Sequence, residues 1–235
     1  MLSLLHSGIA EIGLGELEED KEELFRIYLR ELRIWNKKFN LTSYESEREI
    51  IVYHFLDSLL PLSFFPIKEG NLLDIGSGAG FPGVPLKIIQ PAFSLYLLEA
   101  NKKRILFLKN TREKLGIDFE ILEGRAEDLG RNPQYREQFP LAVARAVAPL
   151  PVLLEYSLPF LKIGGIFIAY KGPKLKEELS GSARALSVLG GRVGEIKEAT
   201  LPIVGEKRMF LFVVKERETP QNYPRRAGIP SKHPL

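Results

Sequence analysis

The chain of 235 residues is long enough for one α/β domain with an additional terminal segment, and 45% of its residues are hydrophobic. It contains no cysteine, which excludes disulfides, thiolate metal sites and cysteine nucleophiles, and its three histidines show no metal-ligand spacing. No apolar run reaches the roughly 18 residues of a membrane span, and the first residues lack the cationic region of a secretory signal. We therefore expect a cytoplasmic protein without a metal, whose net charge of +3 is unevenly distributed along the chain.

The first part of the chain has helical patterns. Apolar residues recur at helical spacing over residues 16–39, which predicts an amphipathic helix. The stretch Ser46-Glu-Arg-Glu49 has the pattern of a capping box and predicts the start of a second helix, which a pair of prolines ends. We expect residues 1–68 to form a helical layer packed on the main domain.

From residue 70 onwards, strand patterns alternate with helical patterns, as they do in a parallel sheet covered by helices. The predicted strands lie near residues 71–75, 94–98, 117–122, 141–146 and 165–170, and the predicted helices lie near 82–89, 102–115, 149–160 and 174–189. Two further strands are expected between Leu201 and Val214, around the loop Val204–Arg208. This pattern predicts an α/β fold with a seven-stranded sheet over residues 69–216, followed by a basic tail over residues 217–235.

One stretch organises the rest of the chain. Asp74-Ile-Gly-Ser-Gly-Ala-Gly-Phe-Pro-Gly83 follows a short buried strand and leads into a helix. Glycines allow the backbone to turn tightly and a ligand to approach it closely, and the helix that follows directs its free N–H groups at that ligand. The stretch is therefore typical of a cofactor-binding turn.

Two classes of cofactor use such a turn. Gly78, Gly80 and Gly83 satisfy the pattern G-x-G-x-x-G of dinucleotide enzymes. Asp74 would repel a pyrophosphate there, whereas it suits the sulfonium and ammonium groups of S-adenosylmethionine. We therefore favour S-adenosylmethionine over NAD. Glu99, at the end of the second strand, can accept hydrogen bonds from both ribose hydroxyls of either cofactor, so it does not distinguish between the two cofactor classes.

Further candidates follow the third and fourth predicted strands. After the third, Ala126 and Glu127 place a backbone N–H and an acid where they can read an adenine, although Glu127 could instead be a helix N-terminal charge. After the fourth, Arg145 lies in an apolar run, where it is costly unless it pairs with an acid or contacts a ligand.

The missing motifs narrow the choice of methyl acceptor. Methylation of a pyrimidine carbon commonly needs a cysteine, and methylation of an exocyclic amine commonly uses an N-P-P-Y tetrad, where this chain has Arg145-Ala-Val-Ala. What remains is a nucleophile with a free lone pair at neutral pH, and guanine N7 is one, because it has no proton to lose. Its methylation needs positioning and in-line geometry but no general base.

Several motifs stand in the order of one known family. They are Asn40-Leu-Thr42, His54-Phe-Leu-Asp-Ser58, the glycine stretch, Gly124-Arg-Ala-Glu127, Arg145-Ala-Val-Ala-Pro149 and Tyr223-Pro-Arg-Arg-Ala-Gly-Ile-Pro230. Over roughly residues 20–235 the chain resembles the glucose-inhibited division protein B family, the bacterial small-subunit ribosomal RNA guanine-N7 methyltransferases. The resemblance implies a class I S-adenosylmethionine-dependent methyltransferase with a Rossmann-like sheet and an antiparallel last strand. It also implies a target guanine in the 530 loop of 16S rRNA, and we expect a monomer that acts on the rRNA or the 30S subunit.

The resemblance also implies roles for individual residues. The cofactor would be bound by Asp74, Gly76, Gly78, Gly80, Phe81, Glu99, Ala126, Glu127 and Arg145. Arg145 would face the methyl-transfer pocket, and His54 and Asp57, one helical turn apart, could contact the target base or merely cap and pack.

Basic residues at strand ends and in the tail are candidates for RNA phosphate contacts. They are Lys102, Lys103, Arg104, Lys171, Arg225 and Arg226, and each could instead be a solvated surface charge. Two alternatives stay open: a methyltransferase for a small molecule, and a noncatalytic ribosome-assembly factor with the same fold.

Overall fold

A seven-stranded sheet forms the centre of the computed structural model, which describes residues 2–67 and 69–235. Its strands are β1 (Asn71–Ile75), β2 (Ser94–Glu99), β3 (Glu120–Glu123), β4 (Phe139–Arg145), β5 (Leu161–Lys171), β6 (Gly191–Leu201) and β7 (Glu206–Lys215). Their order is β3-β2-β1-β4-β5-β7-β6. β1 to β5 pair in parallel, whereas β7 runs antiparallel to both of its neighbours. The predicted sheet with an antiparallel last strand is confirmed.

Helices cover both faces of this sheet. They are α1 (Ser3–Glu11), α2 (Glu19–Phe39), α3 (Glu47–Ile50), α4 (Asp57–Leu59), α5 (Gly83–Ile89), α6 (Lys102–Leu115), α7 (Ala126–Leu129), α8 (Leu150–Ser157), α9 (Leu175–Ser180), α10 (Ala183–Leu189) and α11 (Ile229–Lys232). A π-helical segment, Ile51–Leu56, joins α3 to α4, and 3₁₀ turns follow at Leu60–Ser63 and Leu158–Phe160. π-helical segments are rare and are frequent at functional sites.

The predicted capping box is present at the start of α3. The Ser46 hydroxyl accepts a hydrogen bond from the Glu49 N–H at 3.2 Å, and the Glu49 carboxylate accepts one from the Ser46 N–H at 3.1 Å. These two bonds satisfy backbone donors that the first turn of a helix leaves free.

A hairpin is present at the end of the sheet, but the predicted position of its first strand was wrong. β6 ends at Leu201, where the prediction had that strand begin, and the turn lies at residues 202–205. β6 is an edge strand with charged side chains and little burial, so its sequence lacks the apolar alternation of a half-buried strand. The predicted helix over residues 174–189 is likewise interrupted, because Gly181 and Ser182 separate α9 from α10.

The helical layer shares its apolar core with one face of the sheet. Phe25, Tyr28 and Phe55 of this layer pack in the same buried cluster as Leu72 of β1 and Phe107 of α6. The opposite face is covered mainly by α8 and α10, whose leucines pack on β4, β5 and β7. The first 67 residues therefore contribute directly to the core that supports the carboxyl edge of the sheet.

Charged side chains of the main domain hold the tail over residues 217–235, and three of them make several of these contacts. The Arg136 guanidinium donates to the carbonyls of Thr219 at 2.5 Å and Tyr223 at 2.8 Å. Arg131 donates to the Pro224 carbonyl at 2.7 Å. The third is the fully buried carboxylate of Glu155, which accepts hydrogen bonds from the guanidinium of Arg225 at 3.0 and 2.6 Å.

Candidate active site

The glycine loop between β1 and α5 needs glycine at several positions. Gly76, Gly78 and Gly80 all have positive φ, at 66°, 61° and 96°. A Cβ on Gly76 would lie 2.8 Å from a methyl group of Val147, so a side chain there would displace its neighbour. The loop is also held from the helical layer, because the Tyr28 hydroxyl donates a hydrogen bond to the Ala79 carbonyl.

Asp74 supports this loop from behind. Its side chain is fully buried, and Oδ2 accepts a hydrogen bond from the Gly83 N–H at 2.8 Å, while Oδ1 has no partner among the described residues. Burial raises the pKa of Asp74 to about 7. The carboxylate does not line the cleft described next, so its direct contact with the cationic groups of a cofactor stays a prediction.

A cleft of about 230 Å³ lies at the carboxyl ends of β1, β2 and β3. Four of the predicted cofactor residues line it, namely Gly76, Glu99, Ala126 and Glu127, together with Val147 and Tyr156, which were not predicted. Glu99 Oε2 accepts from the Gly78 N–H at 2.9 Å, and Oε1 accepts from the N–H groups of Ala100 and Asn101 at 2.9 and 2.7 Å. A carboxylate has about four acceptor sites, so Glu99 can still accept from a ribose hydroxyl. We call this cavity the cofactor cleft.

Glu127 lies where both of the roles that the sequence left open are possible. It lines the cofactor cleft and also lies in the first turn of α7. Its side chain is buried, and Oε1 accepts a hydrogen bond from the Gly228 N–H of the tail at 3.0 Å. The tail therefore helps to fix this carboxylate, and adenine recognition by Glu127 stays a prediction.

The residues of the cofactor cleft fit S-adenosylmethionine. A side chain at Gly76 would collide with Val147, which itself lines the cleft, and Glu99 offers a spare lone pair for a ribose hydroxyl. Gly78, Gly80 and Phe81 shape the loop but do not line the cleft. Phe81 faces the other way, with its ring stacked on His54 at 4.3 Å.

A second pocket, of about 410 Å³, adjoins the cofactor cleft, and we call it the acceptor pocket. Ala146 lines both cavities. Its φ of 56° is in the left-handed region, which costs a residue with a side chain roughly 1–2 kcal/mol. Such strain is often concentrated at functional sites. The pocket is lined by Tyr44, Tyr53, His54, Asp57, Arg145, Ala146, Tyr170, Lys171, Gly172, Arg208 and Phe210.

Asp57 connects the three parts of the protein that form this pocket. Its buried carboxylate accepts from Arg145 Nη1 at 2.6 Å and from Arg208 Nε at 2.7 Å. It thereby joins the start of α4 to β4 and β7. Arg145 also donates to the Tyr53 carbonyl at 3.0 Å and lies 5.4 Å from the centre of the Phe81 ring. Ion pairing therefore offsets the cost of an arginine in the apolar end of β4.

His54 is neutral in this network. Burial, together with the nearby charge of Arg145, lowers the pKa of His54 to about 3. Arg145 Nη2 lies 3.0 Å from His54 Nδ1, and arginine can only donate, so Nδ1 is the acceptor. The proton is then on Nε2, which lies 2.6 Å from the Thr42 hydroxyl. Both ring nitrogens are engaged, so His54 is placed to orient Arg145.

Sequence reasoning missed the aromatic wall of the acceptor pocket and one of its arginines. Tyr44 and Tyr53 stack with ring centres 4.9 Å apart at 10°. The Tyr53 hydroxyl donates a hydrogen bond to the Glu206 carboxylate at 2.9 Å. The other oxygen of Glu206 accepts a hydrogen bond from Arg208 at 3.0 Å. Both tyrosines lie within two residues of the family motifs around Thr42 and His54, which is the signal that could have found them.

The candidate RNA contacts fall into two groups. Lys102, Lys103 and Arg226 are exposed, and the Lys103 ammonium lies 5.6 Å from the Phe39 ring. The other three are engaged within the protein: Lys171 with Glu178 and the Ala148 carbonyl, Arg104 at the cofactor cleft 3.6 Å from Glu99, and Arg225 with Glu155. A role in RNA binding stays a prediction and is better suited to the exposed group.

Two features are absent from the described residues. Over residues 2–67 and 69–235, no three or more acidic or histidine side chains are grouped as metal ligands would be. In the same part of the chain, no helix has the length and apolarity needed to cross a membrane.

The sheet order, the glycine loop and the adjoining cavities define a class I S-adenosylmethionine-dependent methyltransferase. The fold is similar to that of the ribosomal protein L11 methylase from Lactobacillus delbrueckii, with a TM-score of 0.53 and 17% identity. That match covers 70% of this chain and 79% of the other chain, and at this identity it concerns the fold alone.

Sequence comparison identifies the family. The family model GidB, described as rRNA small subunit methyltransferase G, matches residues 21–208. The ribosomal RNA small subunit methyltransferase G of Alkaliphilus metalliredigens is 46% identical over 234 residues, which cover 99% of this chain and 98% of the relative. The protein of the same name from Lactobacillus acidophilus is 46% identical, over 94% of this chain and 93% of the relative. The chain therefore belongs to the GidB family, and the predicted family resemblance is confirmed.

Proposed function

We propose that this protein transfers a methyl group from S-adenosylmethionine to N7 of a guanine in the 530 loop of 16S rRNA. The observation that carries the proposal is the meeting of the cofactor cleft and the acceptor pocket at Ala146. The two reactants can approach each other only where the two cavities join. The names of the GidB relatives supply the class of substrate, small-subunit ribosomal RNA.

The hydrogen bonds of the acceptor pocket suit a nucleophile that needs no base. Asp57 accepts from two arginines, His54 is neutral with both nitrogens engaged, and the Tyr170 hydroxyl donates to the Ser58 carbonyl at 2.8 Å. Burial raises the pKa of Tyr170 well above its ordinary value. Guanine N7 carries a free lone pair, so its methylation releases no proton.

The arrangement of donors also suits guanine. S-adenosylmethionine, when bound, supplies a methyl group that is attached to a positively charged sulfur. After the transfer, this sulfur is part of a neutral thioether, which is the leaving group. Guanine carries the O6 acceptor beside N7, where adenine has an amino donor. Arg145 and Arg208 offer guanidinium donors in the pocket, and a donor directed at O6 would hold N7 towards Ala146 while rejecting adenine.

The charges of the pocket are balanced in a way that suits the product. Methylation at N7 moves a positive charge from sulfur onto the purine ring. Arg145 and Arg208 are offset by Asp57 and Glu206, and the Lys171 ammonium is paired with Glu178 at 2.7 Å. The stacked rings of Tyr44 and Tyr53 offer π faces that attract a cationic ring. The pocket therefore provides hydrogen-bond donors without net positive charge.

We assign roles on this basis. Gly76 and Glu99 hold the cofactor at its loop and ribose, Ala126 and Glu127 hold the adenine, and Asp74 keeps the loop in shape. Arg145 positions the guanine, and His54 orients Arg145. Exposed Lys102, Lys103 and Arg226 contact RNA phosphates. A cytoplasmic monomer without a metal, acting on 16S rRNA or the 30S subunit, completes the proposal.

The test is methyl transfer from labelled S-adenosylmethionine to three acceptors: 30S particles that lack the modification, naked 16S rRNA and free guanosine. Borohydride–aniline treatment, which cleaves at N7-methylguanosine, then maps the label. We expect one cleavage site in the 530 loop, and the better acceptor distinguishes the particle from naked RNA. Label on guanosine alone would favour a small-molecule methyltransferase. Cofactor binding without transfer to any acceptor would contradict the proposed substrate and favour a noncatalytic assembly factor.

A further inference from the structure

Two further cavities extend from the acceptor pocket across the helical layer. A cavity of about 780 Å³ adjoins the acceptor pocket, and Tyr44 lines both. A cavity of about 900 Å³ follows along α2, and Arg33 and Lys37 line both it and the 780 Å³ cavity. We call these two cavities together the α2 groove. Because each cavity shares residues with the next, an extended chain can run from the acceptor pocket onto α2 without leaving a depression in the surface.

The α2 groove is strongly basic. The 900 Å³ cavity is lined by five cationic side chains and one acid: Arg26, Arg30, Arg33, Lys37 and Lys38, with Glu47. The first four cations are three or four residues apart, which places them on one face of the helix. At 1.5 Å per residue they extend over about 17 Å of the helix axis. A row of positive charge of this length suits a polyanion better than a small anionic ligand.

Part of this charge is free. Three of the five cations are paired: Arg26 with Glu22 at 2.6 Å, Arg30 with Glu31 at 3.4 Å, and Arg33 with Glu47. The side chains of Lys37 and Lys38 are exposed, and neither makes an ion pair or a side-chain hydrogen bond within residues 2–67 and 69–235. Between the lysines and the acceptor pocket, the groove is lined by one acid, Glu45, and by amide and hydroxyl side chains, including Asn40 and Ser43, which can bond to sugars and phosphates.

We propose that the α2 groove binds the ribose–phosphate backbone of the rRNA strand that flanks the target guanine. This inference rests on the proposed function, because the base in the acceptor pocket must remain attached to a strand that leaves through the mouth of the pocket. Tyr44 lies at that mouth, between base and backbone. Backbone contacts fix the register of a strand without reading its sequence, which is the role that a row of cations can perform. The continuity with the acceptor pocket favours RNA over an acidic protein surface.

The first test removes the two unpaired lysines. The double variant Lys37→Gln, Lys38→Gln is compared with Lys114→Gln, Lys162→Gln, which also removes two exposed lysines. The match is close because Lys114 lies in the last turn of α6, as Lys37 and Lys38 lie in the last turn of α2. We expect the groove variant to raise KM for the RNA substrate about 5- to 10-fold, with unchanged affinity for S-adenosylmethionine. The slope of log binding constant against log salt should fall by about 1.4, at about 0.7 per lost single-strand phosphate contact. The control variant should keep the wild-type values.

The second test locates the RNA directly. The chain has no cysteine, so one introduced cysteine carries a tethered iron–EDTA probe at a single known position. Hydroxyl radicals from a probe on Ser43→Cys or Ile34→Cys should cut the rRNA next to the target guanine, whereas a probe on Lys114→Cys should not. Ile34 is 44% exposed in the groove and tolerates the label.

The outcomes distinguish the two proposals. If the wild-type protein methylates no rRNA, the proposed function is wrong. If it methylates the 530 loop but the groove variant keeps the wild-type KM and salt slope, only the α2 groove assignment is overturned. Loss of self-association in the groove variant, with RNA binding intact, would assign the groove to a second copy of the chain and would also overturn it.

Discussion

The two cavities of the active site are built in different ways. The cofactor cleft is formed mainly by short stretches that directly follow β1, β2 and β3, so each stretch is a local motif. The acceptor pocket combines residues 44–57 of the helical layer with the ends of β4 and β5 and the start of β7. Backbone geometry shapes the first cavity, whereas one buried carboxylate, that of Asp57, joins the parts of the second. We therefore expect substitution of a glycine to impair the cofactor cleft most, and removal of a charge to impair the acceptor pocket most.

The largest effect is expected for Asp57→Asn. Each carboxylate oxygen accepts from a different arginine, so the amide NH₂ of asparagine would face a guanidinium donor whichever way it is turned. Breaking a buried ion pair typically costs roughly 3–5 kcal/mol, part of which should appear as lost positioning of Arg145. We expect kcat/KM for the RNA substrate to fall at least about 100-fold, while the affinity for S-adenosylmethionine changes little.

The matched control for this variant is Glu198→Gln. It removes a carboxylate that pairs with Lys207 at 2.7 Å on the exposed hairpin, where an ion pair contributes little. It should leave activity at the wild-type level. Cofactor binding measured by calorimetry confirms that each variant is folded. An Asp57→Asn protein that methylates rRNA at the wild-type rate would show that the carboxylate is not what holds the pocket together.

Gly76→Ala tests the backbone of the cofactor cleft. The new Cβ would lie 2.8 Å from a Val147 methyl group, and the residue would have to keep a φ of 66°. Because Val147 lines the cleft, its displacement should alter the space for the cofactor. We expect the dissociation constant of S-adenosylmethionine to rise roughly 10- to 100-fold because of the collision with Val147, whereas the left-handed conformation should lower the stability of the fold.

Gly116→Ala is the control for backbone strain without a collision. Gly116 has nearly the same φ, 63°, but an added Cβ would meet nothing within 4 Å. The control should therefore lose about 1 kcal/mol of stability from backbone strain and keep the wild-type cofactor affinity. Equal affinities for Gly76→Ala and Gly116→Ala, measured by titration calorimetry, would contradict the role of Val147 in the cleft.

Tyr44→Ala tests the aromatic wall of the acceptor pocket. Loss of the ring removes the partner of Tyr53 and one surface against which a base can stack. Stacking of a base on an aromatic side chain contributes roughly 1–3 kcal/mol, so kcat/KM for the RNA substrate should fall about 10-fold. Tyr44→Phe keeps the ring and should restore most of the activity. If the phenylalanine variant is as poor as the alanine variant, the hydroxyl of Tyr44 matters and stacking does not explain its role.

The contrast between the cavities also explains what the sequence could predict. Gly76, Glu99, Ala126 and Glu127 could be predicted as residues of this edge because each ends a strand or closely follows one, and parallel strands bring their carboxyl ends to one edge of the sheet. The sheet itself followed from the alternation of strand and helix patterns. Asp74 belongs to the same motif, but the sequence could not reveal that its carboxylate lies behind the loop.

The acceptor pocket depends on contacts between residues far apart in the sequence. Arg208 reaches Asp57 across 151 residues, and no local pattern marks either as a partner of the other. The wrong position of the predicted hairpin made the contact between Arg208 and Asp57 harder to foresee. The prediction placed Arg208 in the loop, whereas Arg208 lies on β7. Edge strands lack the burial that produces an apolar alternation, so their bounds are weakly encoded in hydrophobicity.

The last prediction concerns stability rather than activity, through its dependence on pH. The pKa of His54 is lowered from 6.5 to about 3 in the folded protein, so between these values the unfolded chain binds a proton that the folded protein does not. The contribution of His54 to stability should therefore fall by about 2 kcal/mol between about pH 7 and pH 5, while buried Asp74, whose pKa is raised, contributes in the opposite direction over the same interval. His54→Gln cannot titrate and keeps an oxygen that can accept from Arg145, so chemical denaturation at the two pH values should show a change in stability that differs from the wild-type change by about 2 kcal/mol. His233→Gln, which removes an exposed histidine of the tail, is the control and should keep the wild-type dependence. Equal pH dependence in wild type and His54→Gln would mean that His54 takes up a proton in the folded state, and a cationic ring beside Arg145 would contradict the charge balance on which the acceptor pocket depends.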